Sequence, residues 1–230
     1  MHLHKNSASI LIDVIALSEI RCSYPIKGKL AYATTENFIG RVINGYNHNA
    51  ANLCLLTKPT ALALCQVQNE LIQQNLSLYL YDGYRPVRAV NDFFNWFSQP
   101  VKNNYEIERK QIHYPAYEKN QLVKLGYIGY PLSRHNFGNT IDLTLAELDS
   151  GSLLDMGACF DYFDSVSHNT AVAADIGKIA YDNRMKLASI MQKYGFTPYE
   201  KEFWHFELKP HAADLPMDLA IEAKHYGLNV

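Results

Sequence analysis

The amino-acid sequence predicts an α+β fold, a single domain whose antiparallel sheet core is flanked by helices, with a candidate site in a cleft on the sheet. Three observations carry this. Helix-period apolar stripes alternate with short strand-like runs, and no strand–helix–strand rhythm repeats. No repeat, low-complexity tract or Pro/Gly/Ser-rich linker divides the 230 residues. Hydrophobic residues make up 48% of the chain and charged residues 19%, a composition that packs a core. The domain is read as residues 1–230, with 1–25 as an N-terminal segment and 209–230 as a C-terminal tail.

From the N-terminus, Ser9 to Leu17 (SILIDVIAL) reads as a buried strand. Asp13 interrupts it, it is too short to span a membrane, and no small-residue cleavage site follows it. Lys58 to Asn75 reads as a helix, with Leu64, Val67, Leu71 and Ile72 on one stripe. Ser77 to Asp82 alternates as a strand and ends at the turn signal Asp82-Gly83. A helix begins at Pro86, since proline suits a first helical position, and Val87, Val90, Phe94 and Phe97 share a face of it.

Gln99 to Gln121 is polar and irregular, a surface loop with a short helix. Ile141 to Leu145 is a strand with Ile141, Leu143 and Leu145 facing one way and Asp142 and Thr144 the other. Leu148 to Gly151 would turn it into a hairpin with Leu153 to Met156. Tyr181 to Tyr194 is a helix with Leu187, Ile190, Met191 and Tyr194 inward, and Gly195 stands where a left-handed cap is wanted. The last strand is Phe203 to Leu208.

The net charge of -2 supplies no basic field for nucleic acid or an anionic membrane, so function centres on a pocket and a small partner. Cys22, Cys54, Cys65 and Cys159 form neither a C-x-x-C motif nor a disulfide framework, which suits a reducing cytoplasm. The periplasm is the alternative location. Monomer and homo-oligomer both stay open.

Three segments carry chemistry: Ser133 to Asp142 (SRHNFGNTID), Glu202 to His205 (EFWH) and Asp82 to Pro86 (DGYRP). A catalytic zinc takes three N or O ligands and keeps one position open. His135, Asp142 and His205 supply that set, and Gly138 permits the turn that folds His135 back toward Asp142. Glu202 is the candidate general base, then acid, for water attack on an amide. On a regular strand residues 202 and 205 face opposite ways, so the backbone must bend or bulge there, just before Phe203. Arg85, oriented by Asp82, is placed to face an oxyanion. His113, His168, His211 and His225 read as structural or surface residues. The motif H-E-x-x-H is absent, which excludes the helix-borne zinc proteases built on it.

These residues resemble those of the zinc D-alanyl-D-alanine dipeptidases, the VanX-type enzymes of the peptidase family that also holds the VanY-type D,D-carboxypeptidases. The shared patterns are S-x-H-x-x-G-x-x-x-D, here Ser133 to Asp142, and E-x-W-H, here Glu202 to His205. Similar segments run on through Ala31 to Thr34, Asn37-Phe38, Gly40, Tyr81 to Asn91, Ile141 to Leu145, Met156-Gly157, Phe160-Asp161 and Ser167-His168. Together they span about residue 30 to 208.

The resemblance implies one zinc ion per chain on His135, Asp142 and His205, with Glu202 as base and acid and Arg85 at the transition state. It also implies substrate contacts at Tyr32, Ser133 and Asp161, with Asp161 facing a dipeptide's ammonium. The chain departs from the resistance enzymes at Arg134, Asn136-Phe137, Gly129 to Pro131 and the tail after His211. Two other readings are weighed: a D,D-carboxypeptidase acting on peptidoglycan stem peptides, and a zinc-containing binding module without turnover.

Overall fold

The computed structural model describes residues 11–210 and 215–222. Strand β1 (Leu11–Asp13) pairs antiparallel with β3 (Leu55–Thr57), and helix α1 (Val14–Arg21) starts directly after β1. The run expected as a strand from Ser9 to Leu17 is therefore strand only at Leu11–Asp13; Ser9 itself lies outside the described residues. Asp13 causes the switch. Its carboxylate accepts from the Ile15 backbone N–H at 3.0 Å, satisfying a donor that a helix start would otherwise leave orphaned. The same oxygen accepts from the Cys54 N–H at 3.2 Å, tying the cap to the start of β3.

Strand β2 (Lys27–Gly28) follows α1, and helix α2 (Lys58–Ile72) follows β3. The α2 residues Leu64, Val67 and Leu71 are buried as the periodicity predicts, while Ile72 is half-buried at the end. Strand β4 (Leu76–Asp82) leads through Gly83 to Pro86 into helix α3 (Val87–Phe97), which begins one residue later than expected, with Pro86 as its N-cap. The buried face of α3 is Ala89, Val90, Phe93 and Trp96. The expected face differs because Phe94, half-buried, stacks on Tyr130 with ring centroids 4.1 Å apart.

Within the stretch read as irregular, α4 (Asn104–His113) is capped by Asn103, whose side chain accepts from the Glu106 N–H at 3.0 Å. Strand β5 (Thr140–Glu147) comes next. The expected hairpin to Leu153–Met156 shrinks to a single bridge, Ala146 to Leu153, because Leu153 is exposed and has no face to bury. A one-turn helix α5 (Ala173–Ile176) precedes α6 (Lys178–Lys193), which buries Leu187, Ile190 and Met191; Tyr194 is only half-buried. Gly195 has φ +87°, the left-handed conformation that ends the helix. Strands β6 (Phe196–Tyr199) and β7 (Glu202–Leu208) complete the order.

The main sheet has order β2-β4-β5-β7-β6. Its pairs are antiparallel except β2–β4, so the sheet is mixed and not purely antiparallel. Leu78 faces Leu145 and Leu80 faces Leu143, all fully buried and placed on one face of the sheet. Burying each such side chain contributes about 2 kcal/mol.

Two irregularities sit at one end of this sheet and decide what its other face displays. In β4 the register slips between Leu80 and Asp82, which brings Asp82 opposite Asp142. On β7, Glu202 faces Tyr199 while Phe206 faces Pro198, so Phe203, Trp204 and His205 have no counterpart on β6. Asp82, Asp142 and His205 thus form one transverse row across β4, β5 and β7. Among the described residues no helix is long and apolar enough to cross a membrane.

Candidate active site

The transverse row supplies two of three clustered side chains that could hold a metal ion, and a loop supplies the third. His135 lies on a short 3-10 turn (Arg134–Phe137) that Ser133 caps and Gly138 ends with φ +72°. A side chain on Gly138 would meet Leu11 Cδ2 at 2.7 Å, so the turn needs glycine for space as well as for φ. Three hydrogen bonds stitch this turn to the β4–α3 connection. The Arg85 N–H donates to the His135 carbonyl at 3.2 Å, and Asn136 Nδ2 donates to the Arg85 carbonyl at 2.7 Å. His135 Nδ1 lies 2.7 Å from the Gly83 carbonyl. That last contact places the ring proton on Nδ1 and leaves Nε2 free to face the cleft.

His135 Nε2 is 3.3 Å from Asp142 Oδ2 and 3.3 Å from His205 Nδ1, and His205 Nδ1 is 3.0 Å from Asp142 Oδ1. Ligands about 2.0–2.1 Å from a tetrahedral zinc stand roughly 3.3 Å apart, so this donor set fits that ion. Electrostatics agree. Asp82, Asp142, Asp161 and Glu202 are all buried; the last three line one cleft, in which Arg85 is the only guanidinium among the described residues, and Asp82 stands behind Arg85. A dication would neutralise the excess.

Each of the other residues singled out in the sequence can be placed. Arg85 directs Nε and Nη2 at Asp82 Oδ2, both at 3.0 Å, and its Nη2 is 3.6 Å from Asp142 Oδ2. Its guanidinium lies over the Tyr32 ring at 4.8 Å and the Phe93 ring at 5.2 Å. Glu202 Oε2 comes within 3.6 Å of His205 Nδ1, because the irregularity in β7 turns residues 202 and 205 toward the same cleft. The unmatched stretch begins at Phe203, where the sequence required the bend. The Tyr32 hydroxyl donates to Asp161 at 3.0 and 3.2 Å. Ser133 lines the cleft, and its hydroxyl accepts from the His135 N–H at 3.4 Å. Arg134 stands at the rim, half-exposed, pairing with Glu207 at 3.3 Å.

Burial pushes the Glu202 carboxyl well above the usual carboxylate range, with Asp142 and Asp161 adding to it. Asp161 is pushed up in the same way, by burial first and then by Asp142. Burial also raises Asp82, against the pull of Arg85. Asp142 is the exception: burial raises it, but His135 and His205 together hold it below the usual range. The His135 imidazole is held neutral by burial, the form a metal ligand requires.

The cleft measures about 380 Å³ including its open mouth. Phe38, Phe93, Phe163 and Trp204 wall it, and Phe38 touches both Phe93 and Phe163 with centroids 5.2–5.3 Å apart. Phe38 and Trp204 entered the sequence analysis only as parts of the resemblance, and Phe93, Phe163 and Tyr46, whose hydroxyl donates to the second oxygen of Asp82 at 2.8 Å, were not singled out. Nothing in the local pattern around Tyr46 distinguishes it from the other tyrosines.

Residues 14–223 match the Peptidase M15 family model described as D-ala-D-ala dipeptidase. The chain belongs to that family. A D-alanyl-D-alanine dipeptidase from Enterococcus faecalis is 41% identical over 177 residues, covering 77% of this chain and 83% of its own. One from Streptomyces coelicolor is 38% identical over 188 residues, covering 81% and 88%. One from Escherichia coli is 32% identical over 206 residues, covering 89% and 90%. For a member of the M15 dipeptidase family, the enclosed cleft, the nitrogen-and-oxygen donor set and the adjacent carboxylate form a coherent hydrolytic site.

Proposed function

We propose that this M15 enzyme hydrolyses D-alanyl-D-alanine to two free amino acids, using one zinc ion per chain on His135, Asp142 and His205. The observation that carries the reading is the spacing of 3.0–3.3 Å among those three donors, in the same cleft as Glu202, Arg85 and Asp161. When bound, zinc supplies a Lewis acid that acidifies water and polarises the scissile carbonyl.

The chain's own groups do the rest. Glu202 takes the proton from the attacking water and returns it to the departing amine, a role suited to a carboxyl whose pKa is raised. Arg85, held by Asp82, faces the oxygen that gains charge in the transition state. Asp161 and Tyr32 receive the dipeptide's ammonium, which a buried site must pair with a counter-charge. The cleft orients the two residues of the substrate among its aromatic walls and excludes bulk water.

The discriminating experiment is a panel of D,D, L,D, D,L and L,L dipeptides together with N-acetyl-D-alanyl-D-alanine, each with and without a chelator. The reading expects chelator-sensitive turnover of the D,D dipeptide and rejection of the acetylated one, whose missing charge leaves Asp161 unpaired. Preference for the acetylated substrate would instead favour a D,D-carboxypeptidase. No turnover by the zinc-loaded protein would leave a binding module.

A further inference from the structure

Asp161 holds a left-handed backbone conformation, uncommon for a residue with a side chain although aspartate visits it more readily than most. Its φ is +59°, and among the described residues only one other non-glycine, Asn75, is left-handed. Such conformations are sparsely populated and concentrate where function demands a fixed side chain. Asp161 is also buried, 129 positions in sequence from the Tyr32 hydroxyl that meets it.

The contacts that fix it come from His113, the last residue of α4. His113 Nδ1 lies 3.1 Å from the Asp161 carbonyl oxygen. The His113 carbonyl in turn accepts from the Phe163 N–H at 2.6 Å. One residue therefore grips the 161–163 segment on both sides of Tyr162. Arg109, one helical turn earlier, presents Nη2 to His113 Nε2 at 2.8 Å. A guanidinium can only donate, so Nε2 accepts and the ring's single proton sits on Nδ1, pointing at the Asp161 carbonyl. His113 is buried; with Arg109 and Cys159 it lines a different groove and is not among the residues lining the cleft that holds Asp161. Its contacts to the site run through the segment it holds.

We infer that His113 is a positioning residue for substrate recognition: its Nδ1–H locks Asp161 in the left-handed conformation that aims the carboxylate at the substrate's ammonium. This rests on the reading of Asp161 under the proposed function. The sequence offers no hint of it, since a lone histidine in Gln111-Ile112-His113-Tyr114 looks structural.

The test compares His113→Asn, His113→Gln and His113→Ala in the zinc-loaded enzyme, measuring kcat, KM for D-alanyl-D-alanine and zinc content. Asparagine places an N–H where Nδ1 stood, whereas glutamine places it nearer Nε2, so the two amides separate the hydrogen bond from mere polarity. His113→Asn should keep KM within about threefold of wild type. His113→Gln and His113→Ala should raise it about tenfold, the effect of losing one hydrogen bond, with kcat and zinc content little changed.

Wild-type KM in the Gln and Ala variants overturns the inference, as does an Asn variant no better than Gln. A joint fall of kcat and zinc content overturns it too, because that marks general loosening of the site. If His113→Ala does not fold, the Asn–Gln comparison decides alone. A wild-type enzyme that leaves D-alanyl-D-alanine uncleaved overturns the functional reading first and this inference with it, a result distinguishable from an active wild type with unresponsive variants.

Discussion

Arg85 directs two of its nitrogens, Nε and Nη2, at the same oxygen of Asp82, each at 3.0 Å. The other oxygen of Asp82 is taken by the Tyr46 hydroxyl. The carboxylate is thus fixed from two sides, and the guanidinium inherits its orientation. Asp82→Asn keeps the shape but removes the charge that holds Arg85. It should lower kcat about 10- to 100-fold, the usual range for a residue that orients a catalytic group, without loss of zinc. Steady-state kinetics beside metal analysis checks this, and a zinc-depleted variant would place Asp82 with the metal.

Glu202→Gln preserves size and burial and abolishes proton transfer. Its expected cost is about 10²- to 10⁴-fold in kcat, with zinc retained at the wild-type level. Residual turnover within a few fold of wild type would remove Glu202 from the chemistry.

Metal removal should be felt in stability as well as in turnover. Without a dication the cleft holds buried carboxylates close together, and a ligand that binds only the folded state adds stability in proportion to the logarithm of its saturation. At a free zinc level about a thousandfold above Kd the difference is about 4 kcal/mol, so chelated protein should melt well below the zinc-loaded form. Coincident melting curves would argue that the three donors do not hold the ion.

His113 sets an acid limit on stability. Burial, then the neighbouring Arg109, brings its pKa from 6.5 down to about 4. As pH falls from 6.5 the unfolded chain takes up this proton and the folded chain does not. The stabilisation is therefore complete above pH 6.5 and is lost progressively toward pH 4. The loss is about 3 kcal/mol over that interval. Urea titrations at several pH values should show the wild type losing this much more than His113→Asn across the same range. Parallel pH profiles for the two proteins would assign the acid sensitivity elsewhere.

The candidate site was more legible in the sequence than the packing around it. His135, Asp142, His205 and Glu202 stand out because few residue types bind zinc or move protons, and Gly138 marked the turn between two of them. Burial is decided by neighbours, and periodicity does not see neighbours. Val87, Val90, Phe94 and Phe97 repeat as well as Ala89, Val90, Phe93 and Trp96, yet the second set faces the core because Phe94 finds Tyr130 instead. Asp13 was read as an interruption within one strand, although an aspartate before an apolar run is also a helix cap. The parallel contact of β2 involves two residues and leaves no pattern to read. Tyr46 and His113 act through partners 36 and 48 positions away, a relation that no local spacing encodes.

The unmatched residues of β7 make the backbone path between Glu202 and His205 matter more than the side chains that fill it. Replacing Phe203 changes a ring that packs on Trp204 and leaves the phase of the strand intact. Running Glu202 to His205 as a regular strand, paired residue by residue with β6, would turn one of them to the far face of the sheet and part Glu202 from the three donors in a single step. Tolerance in this short motif therefore extends to side-chain identity and stops at the irregular backbone.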